Sequence, residues 1–325
     1  MMIGERMNTL MIDGHNIAYR NLYPSVYDDG NGGKLRDDEV MLEKDFYLWR
    51  HYFMNSLYKY IARVKPDEMI VTFDKGNPWR ENIYPFYKGG RDKVRQASAI
   101  NFSEFYKVFV QFRTDLRKFL SPVKFIELPE IEADDTIAVL TKRFVANPDH
   151  NVTIISGDGD LHQLLKFPNV TIIDPNPEKD VIHCENPVLD LRIKIITGDK
   201  SDEIPNIKTI EGAEKKARLG PVGAKKIIEE GIDVTLAMDE AFKNNHIRNT
   251  KLIDFDLIPE RIRSQINKAY DMIAPSPIKI PSAMDFDEPN PMDFFANNRL
   301  RRSLELWDVH KQHFNHLATA QDAMF

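Results

Sequence analysis

Glu132-Ala133-Asp134-Asp135 opens, and Ser156-Gly157-Asp158-Gly159-Asp160 closes, the stretch whose reading decides the fold. Between them runs a helical pattern and then the short apolar run Val152-Thr153-Ile154-Ile155. Five carboxylates therefore stand near the two ends of one helix–strand unit, with few cations among them. Clustered acids repel one another and raise one another's pKa unless something positive sits between them. A hard divalent cation with oxygen ligands supplies that charge, and Mg²⁺ or Mn²⁺ suits carboxylate and water ligation. The plainer alternative is an acidic helix start followed by a Gly-Asp turn. The rest of the chain decides between the two.

Working outward, Thr9-Leu10-Met11-Ile12-Asp13 reads as a short buried strand ending in an acid and a turn. Met69-Ile70-Val71-Thr72-Phe73-Asp74 repeats the pattern, and Val152 to Asp158 is a third instance. Asn169–Asp174 is a further strand, but Pro175 and Pro177 follow Asp174, which reads as a turn residue. Leu42, Phe46, Trp49, Phe53, Leu57, Tyr60 and Val64 recur at helical spacing, as do Phe102, Phe105, Phe109, Phe112, Leu116 and Phe119. Tyr23–Arg36, rich in Gly and Asp, reads as a loop. Strands alternating with helices predict a mostly parallel sheet with helices on both faces. Its ligand crevice then lies outside the carboxyl ends of the strands, where Asp13, Asp74 and Asp158 converge. That coincidence favours a shared metal site. His15, in the turn after Asp13, reads as a structural hydrogen-bonding residue. Asp199 and Asp202, three apart in a turn after a predicted helix over 188–196, can face the same pole.

The segment Trp79–Arg95 interleaves aromatics with five cations, Arg80, Lys88, Arg91, Lys93 and Arg95. Cations that meet phosphates beside rings that stack on bases, here Tyr84 and Tyr87, are what single-stranded nucleic acid requires. Gly220-Pro221-Val222-Gly223-Ala224-Lys225-Lys226 reads as a glycine hairpin entering a helix, offering N–H groups, and in some cases a carbonyl-bound cation, to a phosphate backbone. Its spacing does not fit a nucleotide-binding phosphate loop. The net charge of −6 over 325 residues argues against a general polyanion binder, unless bound metal titrates the acids and unmasks a basic surface. The single cysteine, Cys184, excludes an internal disulfide, and neither it nor His183 has zinc-ligand spacing. The N-terminus shows no apolar signal region, and no apolar run reaches the roughly 20 residues of a membrane span. A cytoplasmic protein without membrane contact is expected. Residues 252–273 read as an amphipathic helical segment. The five prolines of 274–293 mark a linker or strap, and Phe294–Leu317 reads as a last helix.

Taken together, Ile12-Asp13-Gly14, Phe73-Asp74-Lys75, Tyr87-Lys88-Gly89-Gly90-Arg91, Glu132-Ala133-Asp134-Asp135, Ser156-Gly157-Asp158-Gly159-Asp160 and Gly198-Asp199-Lys200-Ser201-Asp202 are similar to the motifs of the 5′ nuclease superfamily, the flap endonucleases and 5′–3′ exonucleases. The likeness is greatest to the phage ribonuclease H branch of T-even type, and it covers roughly residues 8–228, in family order. It implies a PIN-like α/β nuclease domain over 1–186, with a helical arch at about 75–101. A helical DNA-binding and C-terminal region over 187–325, with a helix–three-turn–helix element, is implied as well. By position, Asp13, Asp74, Glu132, Asp134, Asp135, Asp158, Asp160, Asp199 and Asp202 become the ligands of two divalent metals. Lys88 and Arg91 become the catalytic cations that engage the scissile phosphate. The Gly220–Lys226 element becomes the duplex-binding element with a K⁺ site, although the link before it is longer than in the family. The implied activity is removal of RNA primers and 5′ flaps during DNA replication, alongside a single-stranded DNA-binding protein and a sliding clamp. Two further readings stand beside this one: a PIN-type ribonuclease for single-stranded RNA, and a non-catalytic binder of branched DNA.

Overall fold

The computed structural model describes residues 6–27, 46–119, 123–176, 179–209, 218–231, 240–273 and 300, with the backbone alone at 92–94 and 119. Five strands form one parallel sheet in the order β3-β2-β1-β4-β5. They are β1 (Met7–Asp13), β2 (Glu68–Phe73), β3 (Lys124–Glu127), β4 (His150–Ile155) and β5 (Val170–Ile173). β1 lies at the centre, with Met11 opposite Ile70 on one side and Ile154 on the other. A strand buried on both faces needs a continuous apolar run rather than an alternating one, and Leu10-Met11-Ile12 is that run.

Alternate residues of the strands feed two cores. Leu10, Ile12, Met69, Val71 and Phe73 pack against α1 (Gly14–Tyr27), α2 (Tyr47–Val64) and α4 (Phe102–Phe119), with the short α3 (Arg91–Gln96) preceding α4 in the chain. Within this core, the Trp49 ring lies 5.0 Å from Phe105 and 5.3 Å from Phe112, both edge-on. Met11, Ile70 and Ile154 face the other way, against α5 (Ala133–Val145) and a C-terminal helix, Glu260–Met272. Between α5 and that helix come α6 (Pro187–Thr197), α7 (Pro221–Glu229) and α8 (Glu240–Ile253); Glu260–Met272 is then α9. Phe255, Ile258, Ile262 and Ile266 share a core with Ile137 and Leu140, so part of the chain beyond residue 186 is packed into the sheet domain. No helix among the described residues is long and apolar enough to cross a membrane.

The structure departs from the sequence reading at α1. A loop is expected from Tyr23, yet the helix continues to Tyr27 with Pro24 inside it. Leu22 and Val26 bury in the same core as Trp49, and that packing outweighs the local turn signal. The rest of that expected loop, Leu42, the strap at 274–293 and most of the predicted last helix fall outside the described residues. The amphipathic stretch from Leu252 is broken by a turn at Phe255–Leu257 between α8 and α9.

Gly14 is required by close approach. A Cβ on Gly14, at the start of α1, would sit 2.2 Å from the ring of Phe73, which is fully buried and cannot swing away. Gly14→Ala is expected to cost about 1–3 kcal/mol through overpacking. Urea denaturation checks it, and an unchanged midpoint would contradict the packing described here.

Candidate active site

The acids meet at the carboxyl ends of β1, β2 and β4. Asp13 ends β1; its Oδ1 accepts the Asn16 N–H at 2.9 Å and its Oδ2 accepts the Ser156 hydroxyl at 3.1 Å. Asp74 follows β2, and its Oδ1 accepts the Ala133 N–H at 2.7 Å. That bond seats the positive end of α5 on a strand-end carboxylate. The Asp74 N–H donates to His15 Nδ1 at 3.0 Å, the structural role expected of this histidine. Asp158 follows β4 and caps the next turn, accepting the Asp160 N–H at 2.8 Å. Asp134, in the first turn of α5, keeps its Oδ1 buried without a hydrogen-bond partner.

These four carboxylates form a group that no lysine or arginine pairs with among the described residues. Burial pushes Asp13 up to about 7, with the charges of Asp74 and Asp158 adding to it. Burial likewise drives Asp134 well above the carboxylate range, reinforced by Asp158 and Asp13. A cation drawn in among them would relieve both the burial and the repulsion, although among the described residues the ligand spacing within 4.8 Å is met by the next group and not by this one.

A second group faces it. Carboxylate oxygens of Asp160, Asp199 and Asp202 lie within 4.8 Å of one another. Here the charge is balanced. Lys194, on α6, bonds Asp160 and reaches Asp199 at 2.6 Å. Arg91 donates to Asp202 Oδ1 at 2.7 Å. Lys88 pairs with Glu132 and lies 3.7 Å from Asp202, while the Tyr87 hydroxyl donates to Asp202 Oδ2 at 3.0 Å. Burial raises Asp160 to about 6 even though Lys194 pulls the other way. For Asp199, burial is outweighed by hydrogen bonds from Lys194 and Ser201, which hold it at about 2. The Asp199 and Ile204 backbones exchange N–H···O bonds of 2.8 and 2.7 Å, closing the loop tightly.

Not every expected site residue stands where the sequence put it. Asp135, expected beside Asp134, is fully buried and turned away; Arg80 holds it at 2.8 and 3.0 Å and Trp79 Nε1 at 2.8 Å. Arg80, expected at nucleic acid, is only 3% exposed and also binds Glu132 at 2.7 Å and the Leu252 carbonyl at 2.8 Å. The requirement to pair buried charges explains both placements. Tyr87 is likewise buried, its ring in a small core with Ile195 and Leu252. Tyr84 is half-buried beneath the Arg248 guanidinium, and Arg95 lies over the Tyr106 ring. The Lys93 side chain lies outside the described residues. Gly220 caps α7 and Gly223 sits in its first turn, where a hairpin is expected. Lys225 and Lys226 are exposed on that helix, 3.8 and 3.6 Å from Glu229 and Glu230. The segment 210–217 before it is outside the described residues. Ser156 stands inside a quoted motif without a role assigned to it, and Asn16 and Lys194 are site residues outside the motifs. Lys194 carried no signal beyond being a cation on a predicted helix.

Residues 8–191 match the family described as 5′–3′ exonuclease, N-terminal resolvase-like domain. The chain is 30% identical over 236 residues to ribonuclease H of Enterobacteria phage T4, covering 68% of this chain and 76% of that protein. It is 27% identical over 252 residues to a 5′–3′ exonuclease of Halalkalibacterium halodurans, 73% of this chain and 76% of that one. DNA polymerase I of Streptococcus pneumoniae matches at 27% over 287 residues, 83% of this chain but only 28% of the polymerase. Among solved structures, a bacteriophage T5 flap endonuclease complex with DNA and metal ions superposes with a TM-score of 0.59 at 19% identity, over 83% of this chain and 100% of that one. That likeness carries the fold alone, the PIN-type α/β fold expected. With the family match spanning more than half of the chain, this protein belongs to the 5′–3′ exonuclease family and is a nuclease.

Proposed function

We propose that the protein is a divalent-metal-dependent 5′ nuclease that cuts 5′ flaps, nicked or tailed duplex DNA and RNA–DNA hybrids. The observation that carries this reading is the unneutralised group around the buried, partnerless Asp134 Oδ1. Asp13, Asp74, Asp134 and Asp158 would hold one ion, and Asp160, Asp199 and Asp202, with Glu132 at its edge, a second. Asp135 does not fit as a ligand, because both of its oxygens are taken by Arg80 and Trp79. Mg²⁺ suits this all-oxygen donor set, with Mn²⁺ as a substitute. Bound there, such ions supply an activated water and neutralise charge on the leaving oxygen.

The chain's own part is to place the phosphate. Lys88 and Arg91 stand at the mouth of the acid cluster, and Arg91 is partly exposed. Each can donate N–H groups to phosphate oxygens where charge develops. His15 and Ala133 hold Asp74 and the start of α5 in register, so the acids need little reorganisation. The phage T4 relative is named a ribonuclease H, and a neighbour of the same fold holds DNA and metal ions. Both support a role in removing RNA primers and flaps during replication, where a single-stranded DNA-binding protein and a sliding clamp are the natural partners. A K⁺ ion at Gly220–Gly223 belongs to the same reading.

A 5′-labelled flap and an RNA–DNA hybrid, each incubated with Mg²⁺ and with EDTA, test it. Cleavage is expected only with metal, and Asp158→Asn is expected to lose on the order of 10³-fold or more with its fold intact. Cutting in EDTA, or at the wild-type rate by that variant, would end the proposal.

A further inference from the structure

The segment Tyr87–Arg91 is fastened to the loop that carries Asp199 and Asp202. Most of the fastenings run through Asp202 itself: its carbonyl accepts the Lys88 N–H at 3.0 Å, and its carboxylate accepts from Arg91 and Tyr87. One does not. The Gly90 N–H donates to Glu203 Oε2 at 2.8 Å. Glu203 adopts φ +60°, and Lys88, two residues before Gly90, adopts φ +57°. Non-glycine residues rarely hold this conformation, and it persists where surrounding contacts enforce it, commonly at functional sites. A Cβ at Gly90 would lie 2.3 Å from Glu203 Oε1, so any larger residue there would push the carboxylate out of this position. Glu203 pairs with no cation among the described residues, and it adds negative charge to an already acidic edge. Solubility alone would require neither the left-handed backbone nor a glycine facing it.

We infer that Glu203 is a positioning residue whose carboxylate latches the Gly90 backbone and so sets where Lys88 and Arg91 stand relative to the Asp199–Asp202 loop. This rests on the reading in which those two cations meet the substrate phosphate. The latch acts through an acceptor oxygen at the reach of a glutamate side chain, so a negative charge is not what it needs.

The test compares Glu203→Ala, Glu203→Gln, Gly90→Ala and the double variant Glu203→Ala/Gly90→Ala in the full chain. Flap cleavage by Glu203→Ala is expected to fall about tenfold in kcat, as for loss of one hydrogen bond. Glu203→Gln, which keeps the acceptor, is expected to stay within about twofold of wild type. Gly90→Ala is expected to lose as much as Glu203→Ala, and the double variant no more than either, because both break one contact. Independently of activity, trypsin is expected to cut after Lys88 and Arg91 faster in Glu203→Ala than in wild type or Glu203→Gln, at unchanged thermal midpoint. Wild-type kcat and trypsin rates in Glu203→Ala would overturn the inference, as would an equal loss in Glu203→Gln or additive losses in the double variant. If the wild type cuts no flap, the proposed function fails while the trypsin comparison still decides the latch.

Discussion

Asp134→Asn is expected to lose at least about 10³-fold in flap cleavage and at the same time to stabilise the metal-free protein at neutral pH. The first effect removes a ligand from the proposed metal seat. The second follows from linkage. Asp13 is raised from 3.8 to about 7 by burial and by the charges of Asp74 and Asp158, and Asp134 is raised by burial, Asp158 and Asp13. An acid whose folded pKa lies above its unfolded value binds its proton more tightly when folded. Its stabilising contribution is complete below about pH 4, the unfolded value, and is lost as pH rises through the folded one. The metal-free protein is therefore expected to lose thermal stability between about pH 4 and pH 7, opposite to an ordinary ion-paired carboxylate. Asp199, held at about 2, acts in the other sense but below that window. Asn at 134 removes an acid that on folding must either carry its charge among like charges or take up a proton, so the midpoint in EDTA at pH 7.5 is expected to rise by roughly 2–5 °C. Added Mg²⁺ is expected to stabilise the wild type more than the variant. Differential scanning across pH 4–8, with EDTA and with Mg²⁺, reads both slopes. A variant less stable than wild type in EDTA at pH 7.5 would show that the acids are not strained as described.

Arg80→Met is expected to be the most destabilising single change in the site. Arg80 binds Asp135 with two N–H groups, Glu132 with one and the Leu252 carbonyl with another, while its ring neighbour Trp79 lies 4.5 Å away. Removing one partner of a buried pair leaves the other uncompensated, at a cost of about 3–5 kcal/mol. Here the fully buried Asp135 is the group left behind. Replacing both partners by apolar side chains is commonly close to neutral, so Arg80→Met/Asp135→Met is expected to recover most of the loss. Urea denaturation of wild type, single and double variants measures this. A single variant within about 1 kcal/mol of wild type would mean that this pair does not hold the Trp79–Asn82 turn to α5.

Much of the architecture is legible in the sequence. Three β-branched runs each ended in an acid, and alternation with aromatic-striped helices required a parallel sheet. The convergence of Asp13, Asp74 and Asp158 followed from that, because parallel strands share one carboxyl edge. Helix α1 is not legible in the sequence, since Asp13-Gly14 reads as a turn, and Pro24 and the polar residues beyond it speak for a loop. Only the burial of Leu22 and Val26 against α2 overrides them. The small core that buries the Tyr87 ring was equally silent, because a basic, aromatic segment reads the same whether its rings face solvent or pack inward.

The pair Asp134 and Asp135 shows where local pattern ends and tertiary structure begins. Helical spacing establishes that Glu132 and Asp135 share a face and that Asp134 lies off it. It does not say which face looks toward the strand ends. That is decided by Ile137 and Leu140 burying against the sheet, which rolls α5 so that Asp135 meets Arg80 and Asp134 meets Asp13 and Asp158. Sequence alone determined which acids exist and which edge of the sheet gathers them. Packing decided which carboxylates are neutralised by the protein's own cations and which are left for another, because pairing a buried charge depends on partners from distant parts of the chain that no local spacing specifies.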